Sequence, residues 1–306
     1  MNIAIIGANG FIGKHLTEAL TKSPDNKLFL FGKGAPNHSN KNIPYYDIDI
    51  RQPDEWLPHF SKIDLVYYLV SLSIPSSTWD KPVTEIEMNL IPFINFLECI
   101  SKLQVKKLVF ISSAGTIYGP TDEKVNEDSN KNPFSPYGIT KLTMEYFLNY
   151  FKKKNNLNFD IYRVSNVYGV GQDTSKGLGI INTFLEKIIN ERVIHVFGDG
   201  QHIRNYIYIK DVAEILCLSS TTPFNASHVY NLSSDDSLSI KELVDILKRV
   251  VTEQFDVVYK DVRGSDNSAI LLENAKIKKA LPNYTLTGIE EGITETYLQI
   301  KANTAH

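Results

Sequence analysis

Cysteine is scarce. Cys99 and Cys217 are the only two in 306 residues, and each sits alone in an apolar stretch that reads as helix. Without CxxC spacing or a run of paired cysteines they exclude a disulfide framework and fit a reducing compartment. Long hydrophobic runs are missing as well. Residues 66–74 are nearly all apolar, but Ser71 and Ser73 interrupt them, and the run falls far short of the roughly 20 residues a bilayer span requires. No basic segment with an apolar stretch and small-residue cleavage site precedes the first strand-like run at residues 3–6, so no signal peptide is expected. Nor does charge of one sign dominate. The 32 basic and 35 acidic residues are mixed along the chain, for a net −3, and advertise no face for nucleic acid or an anionic membrane. The seven histidines show no zinc-ligand spacing, so no metal is expected, and no Gly-x-Ser-x-Gly turn or activated cysteine argues for acyl transfer. Internal repeats and low-complexity tracts are also absent. What remains is a globular protein, expected in the cytoplasm, that binds any phosphate locally.

Short β-branched or aromatic runs stand at residues 3–6, 28–31, 65–70, 108–111 and 159–164. Between them, residues 13–22, 86–103 and 137–154 carry apolar side chains at three- and four-residue spacing, as helices packed on a sheet must. Near-continuous apolar strands alternating with helices predict a doubly wound α/β fold around a parallel (Rossmann) sheet. After about residue 168 the alternation loosens into Gly- and Asp-rich loops, with helices at 180–190 and 239–251. The expected division is a dinucleotide-binding domain over 1–167, joined again by 205–231, and a smaller C-terminal α/β substrate domain over 168–204 and 232–306.

Gly7-Ala8-Asn9-Gly10-Phe11-Ile12-Gly13 follows the first strand at once and opens a helix. In that context Gly7 permits a tight turn, Gly10 lets a pyrophosphate approach the backbone, and Gly13 lets helix and strand pack closely. Free N–H groups at the helix start attract the anion. Further on, Tyr137-Gly138-Ile139-Thr140-Lys141 begins a helix, so that Tyr137 and Lys141 project from one face about a turn apart. A free phenol has a pKa near 10. A neighbouring ammonium favours the phenolate, which makes Tyr137 a candidate general base.

The GxxGxxG spacing, the YxxxK pair and further segments over nearly the whole chain resemble the extended short-chain dehydrogenase/reductases, most of all the UDP-glucose 4-epimerase group. By that resemblance Asn9, Phe11 and Ile12 belong with the three glycines to the cofactor site. Asp49-Ile50 matches a pair that contacts adenine, and Asn89 an asparagine beneath the nicotinamide. Asp49 and Asn89 would otherwise cap turns. The family usually ends its second strand with an acidic residue for the ribose 2′-hydroxyl, but here the strand ends Phe31-Gly32-Lys33. Lys33 either pairs with a 2′-phosphate or is a solvated loop charge, so NAD leads and NADP is the alternative.

Residues 112–119, Ser-Ser-Ala-Gly-Thr-Ile-Tyr-Gly, resemble the stretch that carries the third catalytic hydroxyl. The usual position holds Ala114, which leaves Thr116 as first candidate and Ser113 as second. Related 4,6-dehydratases carry an Asp-Glu pair where Gly115-Thr116 stand, so dehydration is not expected. Asn166 matches an asparagine that contacts a substrate diphosphate, Arg204 lies in a loop like the one covering the nucleotide base, and Arg263 with Asp266 forms the third piece. Two arginines can clamp a diphosphate in bidentate fashion. The resemblance implies a nucleoside-diphosphate-sugar 4-epimerase, with UDP-sugars first, serving polysaccharide biosynthesis. It also implies a homodimer built on the helices at 86–103 and 137–154. A 4-keto-deoxysugar reductase using NADPH would need the same residues. A sensor or scaffold that binds NAD(P) without turnover would have no need of an intact Tyr137/Lys141 pair.

Overall fold

The computed structural model describes residues 1–36, 38, 42–121, 123–261, 270–282 and 284–304. They form two compact units that interleave along the chain. The first comprises Met1–Ile117, Lys131–Val164 and Ala213–Tyr230, and the second Tyr118–Asn130, Ser165–Val212 and Asn231–His306.

The first unit is built on the seven-stranded sheet. Reading across it, the strands are His228–Leu232, Asn158–Val164, Lys107–Ser113, Leu65–Tyr68, Asn2–Ile6, Lys27–Gly32 and Tyr45–Asp47. From Asn158–Val164 to Tyr45–Asp47 every pairing is parallel. The first strand is therefore central and the order runs outward on both sides of it, the doubly wound arrangement whose strand C-termini form a ligand crevice. Parallel strands covered on both faces need apolar residues on both, and Leu65–Tyr68 and Asn158–Val164 are buried throughout. One face packs against the helix Ile91–Ile100 through Phe31, Trp56, Phe60, Tyr68, Phe93, Phe96 and Phe110, which meet ring against ring. Each such ring contributes roughly 1.5–3 kcal/mol of burial, enough to make this bed the rigid floor of the strand ends above it.

The strand Ile203–Tyr208 departs from expectation. It does not return to the large sheet but pairs in parallel with Asn166–Tyr168 and antiparallel with Ser237–Ser239 inside the second unit. The sheet is completed by His228–Leu232 instead, a strand too polar at its start to stand out in the sequence. The unit boundaries shift accordingly: 205–212 and 118–130 lie in the second unit, while 213–230 lies in the first. The second unit adds the parallel pair Asp256–Lys260 and Val193–Phe197, and the helices Ile180–Glu191, Ile240–Val250 and Ile289–Thr304. A reciprocal capping box between Ser239 and Glu242 fixes the start of Ile240–Val250.

Candidate active site

The turn after the first strand is shaped by side chains it cannot hold. Gly7 has φ of 92°, and a Cβ on Gly13 would lie 2.3 Å from the Gly7 carbonyl oxygen. The helix Phe11–Thr21 thus starts hard against the strand end. Its N-cap, Gly10, offers no side-chain cap, and no acidic residue occupies the first turn. The N–H end and its partial positive charge are left for an anion.

Asn9 does something more local. Its amide donates to the carbonyls of Lys33 (3.2 Å) and Ala35 (2.9 Å) and to the Tyr45 hydroxyl (2.7 Å), tying the turn to the loop after the second strand. Where the family's acidic residue is missing, a Cβ on Gly32 would meet the Tyr45 hydroxyl at 2.9 Å. A carboxylate does stand one strand away. Asp47, the register partner of Gly32, accepts from the Gly34 N–H at 2.8 Å. Lys33 is exposed, with Nζ 3.8 Å from Asp49. Asp49 is gripped by Arg51 Nε at 2.9 and 3.1 Å, which takes its carboxyl down to about 2. Ile50 is buried, and its carbonyl accepts from Trp56.

The helix Pro136–Asn155 begins where local chemistry dictates: Ser135 accepts from the Gly138 N–H, and Pro136 supplies the first helical φ. This puts Tyr137 and Lys141 in the opening turns. Lys141 Nζ donates to the Ile111 carbonyl at 3.2 Å and lies 5.1 Å from the Phe110 ring and 5.6 Å from the Tyr137 ring. Gly138 is pressed against the short helical turn Ala114–Ile117, so closely that a Cβ there would sit 2.4 Å from the Thr116 carbonyl oxygen. The Thr116 main chain is thereby held against the residue that follows Tyr137. The Thr116 hydroxyl is buried and has no hydrogen-bond partner among the described residues. A buried hydroxyl without a partner costs free energy, about 1–3 kcal/mol, and is retained where something else uses it. Ser113 ends the strand Lys107–Ser113 and is half-buried.

Two buried charges lock this helix to the sheet. Glu145, one turn beyond Lys141, accepts from Arg163 Nε at 3.1 Å and Nη2 at 2.7 Å, and from the Ser112 hydroxyl at 2.7 Å.

The electrostatics correct one expectation. Burial, not the neighbouring ammonium, governs Tyr137 and pushes its phenol up to about 12, with the Glu85 charge adding to the rise and a hydrogen bond with Ser71 opposing it. Burial also takes Lys141 down to about 8, opposed by the charges of Glu85 and Glu145. Desolvation disfavours both charged forms, so in this protein alone the phenolate is scarce at neutral pH.

A network that sequence reasoning missed lies on the same side. Asn89 Oδ1 accepts from the Leu72 N–H at 2.8 Å, while its Nδ2 donates to Ser73 Oγ at 2.9 Å and Glu85 Oε1 at 3.0 Å. Thr78 donates to Glu85 Oε2 at 2.6 Å, and Ser71 donates to the Ser73 carbonyl at 3.0 Å. Asn89 sits in a π-helical turn, Ile86–Leu90, that runs into Pro92. A proline has no N–H for the ladder, so the turn widens. The available signal was Ser71 and Ser73 at alternate positions beyond a strand end.

In the second unit, the exposed Asn166 donates to the Asn205 carbonyl at 2.8 Å, and Arg204 lies on the neighbouring strand Ile203–Tyr208 with Nη1 donating to the Ile203 carbonyl at 3.0 Å. Arg263 and Asp266 lie outside the described residues. Among the described residues no three His, Cys, Asp or Glu side chains are grouped to hold a metal ion, and no helix is long and apolar enough to cross a membrane.

A doubly wound sheet, a glycine cradle and a tyrosine–lysine pair beside an unpartnered hydroxyl define a dinucleotide-dependent enzyme of the extended short-chain type. The chain belongs to the NAD dependent epimerase/dehydratase family, whose profile matches residues 3–233. It is 28% identical over 302 residues to a UDP-glucose 4-epimerase of Lactobacillus helveticus, with 92% of this chain and 91% of that protein covered. The fold superposes on the UDP-glucose 4-epimerase of Thermotoga maritima, crystallised with UDP-glucose, with a TM-score of 0.92 and 27% identity over 99% of this chain and 100% of the other. For the Thermus thermophilus UDP-glucose 4-epimerase in complex with NAD the TM-score is 0.89, at 25% identity over 98% and 99%. The cradle fits such a dinucleotide: Gly7 and Gly13 leave no room for side chains, and the helix start above them is uncapped.

Proposed function

We propose that the protein is a nucleoside-diphosphate-sugar 4-epimerase that takes UDP-sugars and retains NAD. The observation that carries the reading is the Thr116 hydroxyl, buried and unpartnered next to the Tyr137/Lys141 pair, on a segment that holds no carboxylate for dehydration. NAD, when bound, would supply the hydride acceptor and donor for C4 and a positive charge that favours the Tyr137 phenolate. Gly7, Gly10 and Gly13 with the N–H groups of Phe11 and Ile12 would hold its pyrophosphate, Asp49 and Ile50 its adenine end, and Asn89 the nicotinamide side. Tyr137 takes the proton of the sugar 4-hydroxyl and later gives it back, at a hydrogen-bonded position worth roughly a hundredfold or more in rate. Thr116, with Ser113 as the second hydroxyl, donates to the sugar oxygen as charge builds on it. Lys141, anchored on the Ile111 carbonyl, orients the phenol and stabilises its ionised form.

In this reading Asn166, Arg204, Arg263 and Asp266 take the nucleoside diphosphate. The reductase is the second reading, and Lys33 is what favours it. Its pairing with Asp49 at 3.8 Å gives that lysine a partner other than a 2′-phosphate. A cytoplasmic site and a role in supplying sugars for polysaccharide assembly belong to the same proposal.

The proposal includes a homodimer. Val83, Ile86 and Ile91 on one helical stretch, and Ile139, Tyr146 and Tyr150 on the helix Pro136–Asn155, are large apolar side chains left exposed. Two such stripes on packed helices fit an isologous interface. Sedimentation of the wild type and of Tyr146→Glu reads it: a dimer that the variant splits supports the interface, and a monomeric wild type removes it.

The activity is tested by incubating the purified protein with UDP-glucose or UDP-N-acetylglucosamine without added cofactor and separating products by anion-exchange chromatography. Formation of the C4 epimer with no net cofactor turnover is expected. Stoichiometric NADPH consumption with 4-keto sugars, and no epimer, would establish the reductase instead.

A further inference from the structure

Ser112 and Arg163 are register partners on the neighbouring parallel strands Lys107–Ser113 and Asn158–Val164. Matched positions on such strands stand on one face of the sheet, and both side chains meet the helix Pro136–Asn155 through a single carboxylate. Glu145 Oε1 accepts from Ser112 Oγ at 2.7 Å and from Arg163 Nε at 3.1 Å, while Oε2 accepts from Arg163 Nη2 at 2.7 Å. All three residues are buried. The residue before Ser112 makes the second attachment, its carbonyl accepting from Lys141 Nζ at 3.2 Å. Adjacent strand positions, 111 and 112, thus grip helix positions 141 and 145, one turn apart on the same face.

A buried ion pair is weak evidence for stability, because desolvating two charges costs about as much as their attraction returns. The same two strands carry another near their starts, Lys107 Nζ to Asp160 Oδ2 at 2.8 Å, which joins strand to strand. The pair at their far ends takes its acid from the helix that carries Tyr137 and Lys141. That helix is already attached through Met144, Leu148 and Phe151 in the core. Apolar burial is non-directional, however, and tolerates a small slide or roll of the helix. Three hydrogen bonds to one carboxylate do not. The lysine contact is the sensitive one: at 3.2 Å it stands at the long end of the N–H···O range, so a shift of roughly 0.3–0.5 Å breaks it. Ile111 also lies beyond the ladder that Lys107–Ser113 makes with Leu65–Tyr68, which ends at Phe110.

We propose that Ser112, Glu145 and Arg163 are positioning residues that fix the register of the helix Pro136–Asn155 on the sheet, so that Lys141 Nζ stays on the Ile111 carbonyl and acts on Tyr137 from a set place. They work through Lys141. Without the carboxylate fastening, the helix stays packed but its lysine wanders from the carbonyl, and the phenol loses the group that orients it.

Because the role of Lys141 itself belongs to the proposed function, the primary readout is its ammonium group rather than turnover. Protein carrying lysine labelled with 15N at Nζ is followed by NMR at about pH 6, with Lys141 assigned by its absence in Lys141→Met. Lys141 is buried, and an ammonium held there on a carbonyl exchanges its protons slowly with water. Ser112→Ala, which leaves the ion pair in place, should speed that exchange by about threefold or more and lower kcat by a similar factor, with KM within about twofold. The triple variant Ser112→Ala/Glu145→Met/Arg163→Met removes hydroxyl, carboxylate and guanidinium together, and apolar replacement of a buried pair is often neutral for stability. It should melt close to the wild type, yet exchange the ammonium about tenfold faster or more and lose about tenfold or more in kcat. A merely structural pair would give both back with the stability. Tyr67→Phe, which removes a buried hydrogen bond to the Leu216 carbonyl from the neighbouring strand, should leave Lys141 exchange unchanged. Unaltered exchange in the triple variant, or in Ser112→Ala if the triple variant does not fold, overturns the proposal, and so does equal acceleration in Tyr67→Phe. Faster exchange in a protein that epimerises nothing leaves the proposal standing and removes the functional reading instead.

Discussion

The Asn9 amide and the Tyr45 hydroxyl meet at 2.7 Å, and the same hydroxyl donates to the Gly34 carbonyl at 2.8 Å. This clasp joins the phosphate turn to the loop where the family keeps its ribose-binding acid. Residue 32 lies directly beneath it, with its Cβ position 2.9 Å from the Tyr45 oxygen. An aspartate introduced there must displace the tyrosine before it reaches any ribose. Gly32→Asp is accordingly expected to weaken NAD binding severalfold, and Tyr45→Phe, which loosens the clasp without adding bulk, to weaken it less. Fluorescence titration with NAD and NADP measures both, and tighter NAD binding by Gly32→Asp would refute the clasp as the controlling contact.

Tyr137→Phe should leave carried cofactor unchanged and reduce turnover by about a hundredfold or more, the usual loss when a positioned acid–base group is removed. Product formation under single-turnover conditions checks this. An undiminished rate would show that the proton leaves by another route.

For Thr116 the expectation has two parts. Thr116→Val removes a buried hydroxyl that has no partner within the protein, so the variant should be as stable as the wild type or more so. It should nonetheless lose about tenfold or more in kcat, because the donor to the sugar oxygen is gone. Ser113→Ala should lose less. Thermal melts and kinetics read the two parts separately, and equal mild losses in both variants would leave the hydroxyl unassigned.

Lys141 sets function against stability. Its pKa in the folded protein, about 8, lies below the ordinary 10.5. Between those values the unfolded chain holds a proton that the folded chain has shed, so this group makes stability rise with pH across that window. Below about 8 both states are protonated and the full cost of burying the ammonium is felt, of the order of 3 kcal/mol at about 1.4 kcal/mol per pKa unit. Lys141→Met should therefore raise Tm at pH 7 by several degrees while abolishing most activity, and the gain should shrink as pH climbs toward 10. A variant that melts lower at pH 7 would contradict the burial cost.

How much of this was legible beforehand differs by residue. Five strands of the large sheet, Asn2–Ile6, Lys27–Gly32, Leu65–Tyr68, Lys107–Ser113 and Asn158–Val164, were readable because a parallel strand buried on both faces is largely apolar, whereas the three-residue edge strand Tyr45–Asp47 was not. Tyr137 and Lys141 were readable because helical spacing alone puts them on one face. The strand His228–Leu232 was not, since its first half is only partly buried and carries a histidine. Glu85 was invisible for a related reason. A glutamate at the end of a four-residue helix reads as a solvated charge, and only the packing of a distant helix over it makes it a buried one. The phenol's upward shift likewise depends on desolvation, which no spacing reports.

The contact between Gly138 and the Thr116 carbonyl has a consequence for divergence. Because the two segments touch through a missing side chain, the spacing between the segment of Thr116 and the helix of Tyr137 cannot change by drift at position 138; any replacement there collides with main chain. Under the proposed mechanism, the two segments that act on the sugar are thus held at one spacing, whatever sugar is offered. Descendants of this protein that come to accept bulkier or charged sugars would have to find the room elsewhere, by changing loops that no such collision guards.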